Sequence, residues 1–266
     1  EQLKGKNFWN ELNFKGKKDL NRLLSNAYDS FAARMQPFDV FHPTYYSKTS
    51  LNRTAGKPMV ITIHDMIDER FHQGQAAYEN IISLRAKHIN QANKIIAVSE
   101  NTRKDLIELC GVDPNKIETI YHGNSFNTNI ERATLPQLFE QPYLLYTGKR
   151  YAYKNFDRLV QSLIPIMQAN PDLYLVCAGG GAFKNAELTQ LKTLHLNHRV
   201  IYQPIHDNEQ LASLYNHAQC LVYPSLYEGF GLPIIEAFAC GCPVITSKGS
   251  STAEIAGDAA VLIDPN

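Results

Sequence analysis

Short apolar runs alternate with stretches of helical periodicity along most of the chain. In the first half the runs are Phe38-Asp39-Val40-Phe41-His42, Met59-Val60-Ile61-Thr62-Ile63, Lys94-Ile95-Ile96-Ala97-Val98 and Ile117-Glu118-Thr119-Ile120-Tyr121. In the second half they are Tyr143-Leu144-Leu145-Tyr146, Leu173-Tyr174-Leu175-Val176-Cys177, Arg199-Val200-Ile201-Tyr202, Cys220-Leu221-Val222-Tyr223 and Pro243-Val244-Ile245-Thr246. Runs this short, bounded by turn residues, read as buried strands. The sequence between them, such as Asp157 to Gln168 and Asn208 to His217, is long enough for a helix. Strands joined by helical crossovers lie parallel, so the pattern predicts an α/β chain of doubly wound sheets covered by helices. Ser99 is placed to cap a helix from Asn101 to Cys110, which Gly111 ends.

From Gly123 to Pro142 the periodicity lapses into Asn, Thr, Ser and Pro, as expected of a linker. Residues 1–130 are therefore expected to form one domain and residues 131–266 a second. The chain opens on polar, helix-like sequence without an initiating strand and Gly-rich turn, and Val261-Leu262-Ile263 stands just before its last residue, Asn266. Both domains are thus expected to be partial, with both ends of the chain truncated.

Composition narrows the function. A chain of 266 residues with 44% hydrophobic and 20% charged residues suits a soluble globular protein of two ordinary domains. Its net charge of +0 gives nucleic acid no electrostatic support. The five cysteines, Cys110, Cys177, Cys220, Cys240 and Cys242, sit mostly in apolar context and read as reduced core residues, which points to the cytoplasm. Cys240-Gly241-Cys242 lacks the two-residue spacer of a zinc or redox motif. No apolar run approaches the ~20 residues of a membrane span. Peripheral attachment to a membrane surface stays open.

The segment Tyr223-Pro224-Ser225-Leu226-Tyr227-Glu228-Gly229-Phe230-Gly231-Leu232-Pro233-Ile234-Ile235-Glu236 carries the most chemistry. It sets one carboxylate in a strand-to-helix loop and another in the first turns of the helix. Gly229 and Gly231 let a ligand approach the backbone, and the start of the helix offers N–H groups to an anion. A diphosphate suits that place, and the carboxylates suit sugar hydroxyls. A departing diphosphate gains negative charge, and Arg150 and Lys154, after the strand Tyr143 to Tyr146, are near enough in sequence to converge on one phosphate pair. The chain has no Asp-x-Asp pair, so no metal is indicated. Gly179-Gly180-Gly181 fits either close passage of a phosphate or a plain tight turn.

The segments Pro224 to Glu236, Tyr146-Thr147-Gly148-Lys149-Arg150-Tyr151-Ala152-Tyr153-Lys154-Asn155-Phe156 and Ala239-Cys240-Gly241-Cys242-Pro243-Val244-Ile245, with Ser251-Thr252-Ala253-Glu254-Ile255, resemble the family 4 retaining glycosyltransferases. In the first half, Asp39-Val40-Phe41-His42, Thr62-Ile63-His64-Asp65 and Ala97-Val98-Ser99-Glu100 resemble it more weakly. The resemblance implies the GT-B fold: two Rossmann-like domains facing a cleft, the first on the acceptor side and the second binding a nucleotide sugar. It implies catalytic roles for Glu228, His64, Arg150 and Lys154, and donor binding by Gly148, Gly180, Gly229, Phe230, Gly231, Leu232 and Glu236. Glu236 is matched to the nucleotide ribose and Glu228 to the sugar. Glu254 is matched to the cleft rim, with an exposed helix charge as the alternative.

The wording Tyr-Lys-Asn-Phe and Tyr-Glu-Gly-Phe-Gly-Leu-Pro is most similar to bacterial mannosyltransferases of surface polysaccharide, lipopolysaccharide among them. That implies GDP-mannose as donor, no cofactor, and a glycan or lipid-linked glycan acceptor met at the inner face of the membrane. Two other readings use the same residues: a nucleotide-sugar epimerase of the same fold, and a nucleotide-sugar-binding domain without turnover.

Overall fold

The computed structural model describes residues 38–52, 56–124, 126 and 136–266, with residues 20, 21, 24 and 28. The polar opening, positions 125 and 127–135 of the linker stretch, and the expected boundary at residue 130 lie outside the described residues. Contacts divide the chain into two units. One comprises residues up to Ile61 with Glu79–Ile95, and the other Thr62–Tyr78 with Ile96–Asn266.

The second unit contains a six-stranded sheet. We label the elements of the chain in order: β1 Val60–Ile63, α1 Ile67–Phe71, α2 Ala76–Gln91, β2 Lys94–Ala97, α3 Glu100–Cys110 and β3 Ile117–Thr119. Then follow β4 Tyr143–Thr147, α4 Phe156–Ala169, β5 Tyr174–Ala178, α5 Asn185–Thr193, β6 Val200–Gln203 and α6 Asn208–His217. The last are β7 Cys220–Tyr223, α7 Leu232–Ala239, β8 Val244–Ser247, α8 Ser250–Ala256 and β9 Val261–Ile263.

Near-continuous apolar strands are what a sheet covered on both faces requires. The period of two sorts them within each strand. Tyr143, Leu145, Val176, Ala178, Leu221 and Tyr223 enter one core with Leu214, Ile234 and Ala237. Tyr146, Leu175, Cys177, Cys220 and Val222 enter the other, beneath α4. There Phe156, Leu159, Val160, Leu163 and Met167, spaced by three and four residues, form the buried stripe of the helix. All five cysteines are unbridged thiols, with Cys177, Cys220 and Cys242 buried.

The order β6-β5-β4-β7-β8-β9 places the functional loops. Each pairing is parallel, with Tyr143 opposite Tyr174, Leu144 opposite Cys220 and Leu221 opposite Val244. From β4 the chain winds outward to β6, then returns to β7 on the other side of β4. The loops leaving the C-terminal ends of β4 and β7 therefore diverge, which opens a crevice at this switch point.

β1, β2 and β3 form a three-stranded sheet in that order. The expected strand Phe38–His42 is reduced to one bridge, Phe41 to Met59. Val40 is exposed, and Pro43 has no N–H to extend the ladder. β3 likewise ends at Thr119 rather than Tyr121, where Ile120 and Tyr121 turn outward. Among the described residues no helix is long and apolar enough to cross a membrane.

Candidate active site

Every residue of the site belongs to the unit of Thr62–Tyr78 and Ile96–Asn266. β7 ends at Tyr223 and α7 begins at Leu232 after Gly231, whose φ of 111° favours glycine. No side chain caps the start of α7. Pro233 has no N–H and the Ile234 N–H donates to the Gly231 carbonyl at 2.9 Å, so the Leu232 N–H and the positive end of the helix dipole face the loop without a side-chain counter-charge.

Neighbouring elements hold the loop by its backbone. The Glu228 N–H donates to Ser250 Oγ at 3.1 Å, and Ser251 Oγ donates to the Glu228 carbonyl at 2.8 Å. The next carbonyl, of Gly229, accepts from Ser99 Oγ at 2.6 Å and Thr102 Oγ1 at 3.0 Å. Ser99 also caps α3, accepting from the Thr102 N–H. A Cβ on Gly229 would lie 1.8 Å from the His64 carbonyl oxygen, so this glycine is required by contact with the end of β1. Below the loop, fully buried Asp105 accepts from Arg70 and from the Tyr227 hydroxyl, and Arg70 lies over the Tyr227 ring at 5.4 Å.

With its backbone fixed, Glu228 meets Lys154 across the switch point. The Lys154 ammonium donates to Glu228 Oε1 at 2.5 Å and to the Tyr223 hydroxyl at 3.1 Å. The two charged side chains are 15% and 8% exposed. Lys154 also sits over the rings of Tyr153 and Tyr223, at 5.4 and 5.3 Å. Burial, followed by the charge of Glu228, pushes the Tyr223 phenol well up, so Tyr223 stays a neutral donor or acceptor. Glu236 lies apart from this pair. Its Oε2 accepts from the Tyr215 hydroxyl at 3.0 Å, and partial burial raises its pKa against the pull of that bond.

Arg150 is not brought to Lys154. Its guanidinium pairs with Glu187 at 2.7 Å, donates to the carbonyls of Gly181 and Ala182, and lies over the Phe183 ring at 4.7 Å. The Arg150 side chain is 4% exposed, and its Nη1 has no hydrogen-bond partner among the described residues. Lys149, one residue earlier, is exposed, forms no ion pair among the described residues, and holds its ammonium 5.4 Å from the Tyr151 ring centre. A Cβ on Gly180 would meet the Gly148 carbonyl oxygen at 2.2 Å, so Gly180 is where the β5 loop supports the β4 loop. Arg150→Met is expected to cost about 3 kcal/mol of unfolding free energy in urea titrations, because half-buried Glu187 loses its counter-charge and keeps only the Lys184 N–H. Lys149→Met should leave that free energy unchanged within about 0.5 kcal/mol.

His64, exposed at the end of β1, has a partner that sequence reasoning missed. His122 follows β3, and its Nε2 is 3.4 Å from His64 Nδ1 with the rings stacked 5.4 Å apart at 7°. Phe230 meets His122 edge-on at 5.2 Å. The signal was the same one that marks His64, a histidine at the end of a strand. Glu254 does not line this surface as a free charge. Its carboxylate accepts from the N–H groups of Glu100 and Asn101 at 2.7 and 3.0 Å, capping α3 beside Ser99, and its bond to Tyr121 pushes that phenol up to about 12.

Burial, and then the neighbouring His64, lower the pKa of His122. Its imidazole therefore stays neutral at pH values where an unfolded histidine takes a proton. The linked stability is complete above the unfolded value of about 6.5 and is lost as pH falls through the lower folded value. His122→Asn is expected to flatten the fall in urea midpoint between about pH 7 and pH 5, and an unchanged slope would contradict this.

Among the described residues, no three His, Cys, Asp or Glu side chains gather as metal ligands. The family described as glycosyl transferases group 1 matches residues 128–266, and that described as glycosyltransferase family 4 matches residues 8–125. O-antigen chain mannosyltransferase B of Escherichia coli is 31% identical over 92% of this chain and 66% of its own length. O-antigen chain mannosyltransferase RfbU of Salmonella typhimurium is 25% identical over 77% and 56%. The chain spans between 44% and 66% of the length of curated relatives that it matches. Among solved structures, Anabaena Alr3699/HepE in complex with UDP and glucose superposes with a TM-score of 0.73 at 20% identity, over 93% of this chain and 70% of that one. Sucrose-phosphate synthase of Thermosynechococcus elongatus gives 0.70 at 22%, over 95% and 66%. The shared fold is GT-B.

Proposed function

The chain belongs to the group 1 glycosyl transferases, and from that premise we propose that the full-length protein is a retaining, metal-independent glycosyltransferase. It moves mannose from GDP-mannose to a glycan or lipid-linked glycan at the inner face of the membrane. The observation that carries this reading is the Lys154–Glu228 pair at the switch point, beside the uncapped start of α7. The mannosyl part is supported by the O-antigen mannosyltransferases among the relatives.

In this reading the diphosphate lies against the start of α7 and takes the ammonium of Lys154. Glu228, relieved of its counter-charge, accepts hydrogen bonds from sugar hydroxyls. The bond from the anomeric carbon to the phosphate oxygen breaks, and the acceptor oxygen bonds to that carbon on the same face. The acceptor proton passes to the departing phosphate. Lys154 and the dipole of α7 stabilise the charge that grows there, and no carboxylate need act as a covalent nucleophile. Glu236, held by Tyr215, receives the ribose hydroxyls.

Thermal-shift titration of the full-length protein with GDP-mannose, UDP-glucose and ADP-glucose tests this reading, since stabilisation follows ligand concentration over its dissociation constant. GDP-mannose should raise Tm most, and Glu236→Ala should weaken its binding about tenfold. Absence of a shift with every nucleotide sugar would overturn the assignment.

A further inference from the structure

Behind the Glu228 loop lies a groove of about 480 Å³ that the donor reading does not use. Its walls come from α1 and the residues after it on one side, and from the β4 loop on the other. Phe71, Tyr78, Tyr151 and Tyr153 supply rings, and Asp68 and Gln75 supply polar side chains. The volume falls within the range of small-ligand sites. Its neighbourhood ties it to the candidate active site. Tyr153 precedes Lys154, and the Tyr153 carbonyl accepts from the Leu226 N–H at 2.8 Å. Phe71 stacks with Tyr153 at 6.0 Å and meets Tyr227 edge-on at 5.9 Å. One wall of the groove is therefore continuous with the loop that carries Glu228.

We propose that this groove is a saccharide subsite that holds pyranose residues of the acceptor glycan, a reading that rests on the glycosyltransferase assignment. A pyranose ring has a C–H face that packs on aromatic rings and a rim of hydroxyls that needs donors and acceptors. The groove offers both kinds of surface together. Tyrosines suit this task because each joins an apolar ring to a polar tip. A lipid chain would match the rings but would bury Asp68 and Gln75 against hydrocarbon, at the cost of their solvation. Tyr151 is the best-placed probe. It is 45% exposed, and its neighbour Tyr153 lies 5.9 Å away, centre to centre.

The test titrates the full-length protein by calorimetry with mannotriose, maltotriose and chitotriose, and separately with GDP. One of the trisaccharides should bind saturably. Tyr151→Ala should weaken it by about tenfold, as expected for loss of one stacked ring. Tyr151→Phe should restore affinity to within about twofold, and both variants should bind GDP as the parent does. Equal trisaccharide binding by Tyr151→Ala and parent overturns the subsite, as does binding of dodecyl maltoside through its alkyl chain with no affinity for any trisaccharide. Absence of all trisaccharide binding with GDP binding intact also overturns it. Failure of the parent to bind GDP would instead overturn the GDP-sugar part of the glycosyltransferase assignment, while the saccharide titration stays interpretable by itself.

Discussion

Lys154→Met in the full-length protein is expected to lower turnover with a nucleotide sugar by about a hundred- to a thousandfold, the scale for removing one group that meets transition-state charge. Methionine keeps an unbranched stem between Tyr153 and Tyr223 and deletes only the ammonium. The same change strands Glu228, whose side chain is 8% exposed, without its counter-charge. A stability loss of about 3–5 kcal/mol should therefore accompany the loss of turnover. The double variant Lys154→Met/Glu228→Gln separates the two effects. Removing both charges should recover most of the stability, measured by urea unfolding, while turnover stays low. Because Glu228 meets the sugar, the reference for turnover is Glu228→Gln alone, and a double variant as active as that single variant would mean that Lys154 acts only as a structural counter-ion.

Gly229→Ala should be among the most damaging single-methyl additions to this chain. The new carbon would lie 1.8 Å from the His64 carbonyl oxygen and 2.7 Å from Asp65 Cβ, and the first of these is backbone that no rotamer change can move. The loop must retreat from β1, which stretches the bonds from Ser99 and Thr102 to the Gly229 carbonyl. Overpacking of this kind costs about 1–3 kcal/mol, and each hydrogen bond lost adds about 1 kcal/mol. A total near 3–5 kcal/mol with loss of nucleotide binding is expected. Gly231→Ala should cost less, because its new Cβ would meet the end of the Ile234 side chain at 3.1 Å, leaving mainly the strain of its positive φ. Denaturant unfolding of both variants checks the order, and an equal cost would mean that the Gly229–His64 contact is looser than described.

The strands of the six-stranded sheet were legible because each is a continuous apolar run, and their ends moved by only one or two residues. α3 was legible through its caps, Ser99 and Gly111. What the sequence concealed depends on partners distant along the chain. Spacing placed both Arg150 and Lys154 after β4, but nothing local shows that Glu187 takes the first and Glu228 the second. Asp105 gives no sign in sequence that Arg70 and Tyr227 close over it. His122 passed unnoticed because it follows a short strand whose exposed end reads like its core, and its significance appears only when β1 and β3 bring two strand-end histidines together. Phe38–His42 failed as a strand because composition alone does not show that Val40 faces solvent.

A crystal structure of the full-length protein with GDP tests the switch-point crevice between β4 and β7 most directly. The diphosphate is predicted to lie within about 3 Å of Lys154 Nζ and of backbone N–H groups at the start of α7, with the ribose hydroxyls on Glu236. A diphosphate bound elsewhere, with Lys154 still closed on Glu228 and the start of α7 empty, would contradict it.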